Sequence, residues 1–118
     1  MEQQEQGIVR IADDVVSTIA GLAALETEGV AAMSAGISEG LAKRISGKQA
    51  HKGVTVKVSE AEAAIDLKVV VTYGSAIHDV CRKMQANVKE AVESMTGLQV
   101  TEVNVKVEGV MFKDEKDQ

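Results

Sequence analysis

A tyrosine, a histidine and a cysteine crowd one short stretch, "YGSAIHDVCRKM", residues 73–84. Tyr73 is the only tyrosine, Cys81 the only cysteine and His78 one of two histidines. Two chemistries suit such a cluster. A thiol beside an imidazole can act as a nucleophile with its base, or the pair can form half of a metal site. His78 precedes Cys81 by three residues, so a helix would bring them within reach. Structural zinc takes four ligands, however, and the chain has no second cysteine. Asp79 or His51 could be recruited, but no spacing predicts it. A nucleophile would also need an oxyanion hole, and none can be identified.

The element that carries these residues gives a plainer reading. Ile77, Val80, Cys81, Met84, Val88, Ala91, Val92 and Met95 fall on one helical stripe. Asp79 with Lys83, and Lys89 with Glu93, place opposite charges four residues apart on the other side. Ser75 offers an N-cap and Gly97 a C-cap. On this reading Cys81 belongs to the core and His78 faces solvent. Tyr73 ends a strand, covering the end of the core with its hydroxyl in water. No catalytic, cofactor-binding or metal residue is assigned, and no enzyme is expected.

Around that helix the pattern predicts four strands and one more helix. "GIVRI" (Gly7–Ile11) is a short strand candidate. Asp13 and Asp14 then suit a helix start, and Val15, Val16, Ile19, Leu22 and Ala23 recur at helical steps, predicting a helix over Asp14–Thr27. "VTVKV" (Val54–Val58) and "AIDLKVVVTY" (Ala64–Tyr73) alternate and are close enough to form an antiparallel hairpin. A last strand alternates over Val100–Val110, reached by a crossover that makes it parallel to its partner. The expected fold is an α+β two-layer sandwich in the order β-α-β-β-α-β, with a small mixed sheet and two helices on one face. The single domain spans residues 7–110, between a flexible tail at 1–6 and a charged tail at 111–118. Residues 30–53 read as a long loop, punctuated by Gly36, Gly40, Gly47 and Gly53.

Bulk composition narrows the function. The chain has 118 residues, 13 basic and 18 acidic, for a formal charge of −5. That disfavours bulk attraction to nucleic acid or anionic lipid. One cysteine precludes an internal disulfide, which suits a reducing cytoplasm. "MEQQEQGIVR" does not read as a Sec-type signal peptide. The longest nearly uncharged run, Val15–Leu25, falls short of the ~20 residues that cross a bilayer. Membrane contact is therefore expected to be peripheral or through a partner.

Two surfaces remain as candidates for recognition. One is the basic cluster Lys43, Arg44, Lys48, His51 and Lys52 in the 30–53 segment, suited to anionic head groups or an acidic partner. The other is the polar sheet face, with Asp66, Lys68, Thr72, Asn104, Lys106 and Glu108 around Val70. Lys43, Arg44, Lys48, Lys52, Lys68 and Lys106 are the expected partner or lipid contacts.

"GIVRIADDVVSTIAGLAALETEGVAAMS", "KGVTVKV", "AIDLKVVVTYG" and "NVKEAVESMTGLQVTEVNVKVEGV" together resemble the alkaline shock protein family of Gram-positive bacteria. The likeness runs from about Gly7 to Val110, and the last segment is its most specific part. Family members often carry Pro and Glu where this chain has Asp13 and Asp14, a change that keeps the helix-start chemistry. The resemblance implies an abundant cytoplasmic protein without known catalysis, linked to envelope or alkaline stress. It also implies a membrane-anchoring partner protein for at least some members, and self-association into homo-oligomers. No cofactor comes with it. The expected function is a protein-binding scaffold of the envelope stress response, recruited to the membrane by a partner. The alternative is a small RNA-binding domain, which shares the element order. Its sheet aromatics are missing here, and nucleic acid is not expected as a partner.

Overall fold

The chain is described here from a computed structural model, which places residues 7–34 and 53–112. Helix α1 spans Asp13–Glu26 and begins after Ala12, whose side chain makes no capping hydrogen bond. Asp13 and Asp14 lie within the first turn instead, where their charges face the positive helix end. Small residues on the inner face, Ala20, Ala23 and Ala24, bring α1 close to the sheet alongside Val16 and Ile19. Thr27 closes the helix: its hydroxyl donates to the Ala23 carbonyl at 3.0 Å and accepts from the Asn87 amide at 3.0 Å. A buried hydroxyl is thereby satisfied and ties the two helices together.

Strands β1 (Val30–Met33), β2 (Val54–Ser59), β3 (Glu62–Thr72) and β4 (Gln99–Met111) build one mixed sheet with β3 at its centre. β4 runs parallel to β3 along one whole edge, from Glu62↔Gln99 to Thr72↔Met111. β1 and β2 share the other edge end to end, both antiparallel to β3. Their joint falls at Lys68. The Ser34 N–H donates to the Lys68 carbonyl, and the Lys68 N–H donates to the Gly53 carbonyl, each at 2.8 Å.

Helix α2 (Ile77–Thr96) crosses from β3 to β4. Val80, Met84, Val88 and Val92, four residues apart, are its buried positions, and Gly97 ends it in the left-handed conformation at φ 80°. These side chains meet Ile65, Leu67, Val69 and Val71 of β3, together with α1, in one core. Both helices thus cover the same sheet face, the α+β two-layer arrangement that the alternating pattern predicts.

The strands differ in one place from the expected order. Residues 7–11 enter no ladder, with Ile8 80% and Val9 87% exposed. Both edges of β3 are already occupied, so the segment has no edge of that strand to join. The fourth strand is β1, inside the stretch read as loop. "VAAM" shows no alternation and all four residues are half-buried, so it carries no period-two signal. The described order is α-β-β-β-α-β. Ser75 is not the N-cap of α2; Ala76 takes that position without a side-chain bond. The expected tail at 1–6, residues 113–118 of the expected tail at 111–118, and residues 35–52 lie outside the described residues, while Met111, placed in that tail by the sequence, belongs to β4.

Candidate functional site

Alternation along β3 sends Ile65, Leu67, Val69 and Val71 into the core and Asp66, Lys68 and Val70 to the opposite face, which no described helix covers. Register carries that face across to β4: Asp66 lies beside Asn104 and Lys68 beside Lys106. Asn104 donates its side-chain amide to the Asp66 carboxylate at 2.8 Å. The two lysines are exposed neighbours on adjacent strands.

A register shift adds a feature beside them. Val69 pairs with Val107 but Val70 with Gly109, so Glu108 is the extra residue of a bulge. Its carboxylate accepts from the Ser34 hydroxyl at 2.6 Å and lies 3.7 Å from the Lys106 ammonium. Ser34 belongs to the far edge, so this contact spans the central strand. The Ser34 hydrogen bond holds the Glu108 carboxyl below the usual carboxylate range, aided by Lys106 and Lys68 and partly opposed by desolvation. A depressed folded-state value means the stabilisation is present above the ordinary glutamate range and lost as pH falls through the folded value. Glu108→Gln is therefore expected to lower the urea midpoint slightly at pH 7 and by less at acid pH, as the folded carboxyl takes up its proton. A mutant deficit that stays the same at both values would rule out the charge as its cause.

Of the sequence-predicted contacts, Lys68 and Lys106 are brought together here. Lys43, Arg44, Lys48 and Lys52 lie outside the described residues. The residues that bound their segment, Ser34 and Gly53, flank Lys68 on the strand edge. Of the two candidates in the sequence, the polar sheet face is the one the described residues show. Ser34 was not singled out by the sequence, because its role depends on a contact 74 positions away.

The His–Cys–Tyr cluster disperses. His78 is exposed, as expected. Cys81 is only half-buried, at the margin of the Val80–Met84–Val88–Val92 line, so full burial is corrected. Desolvation there pushes its thiol up, away from the nucleophilic thiolate. Tyr73 is 63% exposed and does not roof the core. It stacks on Phe112, with ring centroids 4.8 Å apart, just past the last registered pair of β3 and β4. The sheet face around Lys68 carries neither aromatic. Among the described residues no three of His, Cys, Asp and Glu are placed to hold a metal ion, and no helix is long and apolar enough to cross a membrane.

Comparison with known proteins bears on the family of the whole chain. The family of alkaline shock protein 23, described as having a cell envelope-related function, matches residues 1–112. YqhY of Bacillus subtilis is 38% identical over 112 residues, spanning 94% of this chain and 82% of YqhY. YloU of the same organism is 32% identical, spanning 88% of each chain. A protein named stress response regulator gls24 homolog, from Streptococcus pyogenes, is 32% identical over 87% of this chain and 58% of its own length.

Proposed function

This chain belongs to the alkaline shock protein 23 family, whose function is cell envelope-related, and from that premise we propose that it is a non-enzymatic scaffold held at the cytoplasmic side of the membrane by a partner protein. The observation that carries the reading is the sheet face at Lys68, which no described helix covers. Two lysines stand side by side there, and a serine–glutamate bridge fixes the strand edge from which residues 35–52 depart. Lys43, Arg44, Lys48 and Lys52 belong in sequence to the segment between Ser34 and Gly53. On this reading Lys68 and Lys106 meet an acidic partner surface, and the basic cluster read from the sequence is a further contact for it. A protein with no helix able to cross a bilayer among its described residues reaches the membrane through that partner. The half-buried, proton-retaining Cys81 and the exposed His78 support a binding role over a catalytic one.

Cell fractionation tests the proposal. The tagged wild-type protein is expected to sediment with membranes and to leave them at high salt, as screened ion pairs do. The Lys68→Glu, Lys106→Glu protein should shift to the soluble fraction and stay folded, its melting temperature lowered only slightly by the lost attraction to Glu108, both residues being exposed. The proposal fails if the wild-type protein is wholly soluble and cross-links to no membrane protein.

A further inference from the structure

Helix α1 has a second apolar side. Its inner face is filled by Val16, Ile19, Ala20, Ala23 and Ala24. Its outer face presents Val15 at 47%, Leu22 at 49% and Leu25 at 36% exposure, with half-buried Thr18 between them. Between Asp14 and Glu26 the helix holds no charged residue. A surface helix ordinarily turns charge to water on that side.

The spacing says what kind of surface this is. Val15, Thr18, Leu22 and Leu25 are separated by three, four and three residues, the a-d-a-d spacing of two heptads. At 100° per residue the four side chains lie within an 80° arc. Such a narrow seam accepts the knobs of a single facing helix. Acidic residues frame it: Asp13 and Asp14 at one end, Glu26 and Glu28 at the other, all exposed. In heptad terms Asp14 is a g position and Glu26 an e position, where partner choice is set by charge, and Glu28 follows in the turn past the helix end.

We propose that α1 docks one helix of a partner protein, a helix with an apolar a/d seam and lysine or arginine at its flanking positions. Charge selects this occupant over the two obvious competitors. A second copy would bring Asp13 and Asp14 against Glu26 and Glu28 in an antiparallel pair, or against their own copies in a parallel one. An anionic lipid surface meets the same repulsion. The seam is about 15 Å long at 1.5 Å per residue, short of a standard interface, so binding is micromolar or weaker and salt-sensitive. The inference takes from the scaffold reading only that the partner is a protein. It concerns the helical layer, whereas that reading concerns the open sheet face.

The probe is a capped three-heptad peptide with leucine at a and d and lysine at e and g, beside a twin with glutamate at e and g. Like charges at e and g keep each peptide from pairing with itself. Titrated into the isotope-labelled full-length chain, the lysine peptide should shift the amide resonances of α1 saturably and bind at least tenfold tighter than its twin. Leu22→Glu should cut that binding at least tenfold, and Asp14→Lys with Glu26→Lys should reverse the preference between peptides. The inference is overturned if the twins bind alike, if the shifts map to α2 or the Lys68 face, or if Leu22→Glu binds as wild type does. It is equally overturned if the wild-type protein forms dimers, or binds anionic vesicles, in a way that Leu22→Glu abolishes. Because the Lys68→Glu, Lys106→Glu protein keeps α1, it should still bind the peptide. Failure here with intact salt-sensitive membrane fractionation would sink the seam and leave the scaffold reading standing.

Discussion

Replacing Gly53 by alanine should destabilise the protein by about 2–4 kcal/mol, a core-scale loss from adding one methyl group. Gly53 has φ +82°, a conformation that costs any other L-residue about 1–2 kcal/mol. A Cβ there would also stand 2.6 Å from the Ser34 carbonyl oxygen and 3.0 Å from that of Lys68. Both obstacles are backbone, so no rotamer change relieves them. The substitution presses apart the joint where β1 ends and β2 begins and strains both hydrogen bonds of Lys68. Gly74 is the control. Its φ is +95°, but nothing lies within 4 Å of a Cβ, so Gly74→Ala should cost only the conformational part, about 1 kcal/mol. Urea unfolding of the two proteins separates the contributions. Equal losses at both sites would show that the edge joint yields freely.

Met84→Ala should cost about 2–4 kcal/mol, while Cys81→Ala, one turn away, should cost under about 1 kcal/mol. Met84 is fully buried between α2 and the sheet, and truncation leaves a cavity lined by the β3 valines and α1. Cys81 lies at the rim of that contact, so its loss is met by water and by small movements of exposed neighbours. Thermal or denaturant melts measured side by side decide it. A Cys81→Ala loss as large as that of Met84→Ala would place the thiol in the core after all.

These two residues also show how far sequence reasoning reaches. The line Val80, Met84, Val88 and Val92 was legible because a helix over twenty residues repeats its inner face often enough to define it. Cys81 sits one residue off that line, and a stripe drawn from apolarity alone cannot tell its centre from its margin. β3 was legible for a related reason, since its alternation persists from Ala63 to Val71. β1 was not. It is four residues long, contains two alanines and relies on an edge of β3 that a reader of the sequence does not know is open. The same ignorance made "GIVRI" look like a strand: its composition fits one, and that both edges of β3 are taken has no local signature. Of the candidate site, Lys68 and Lys106 were visible as polar positions on alternating strands. Their adjacency to Ser34 and Gly53 follows from β1 and β2 sharing one edge, a tertiary fact without a local signature.

That shared edge has a consequence for how such chains can diversify. Ser34 and Gly53 divide between them the two hydrogen bonds that one residue of an unbroken strand would make with Lys68. The sheet therefore closes as if residues 35–52 were a single outsized bulge. The closure itself is made by the backbone of Ser34, Gly53 and Lys68. The framework works as a socket: it fixes two backbone ends opposite one lysine, so a change that keeps Ser34, Gly53 and Lys68 in place keeps the socket.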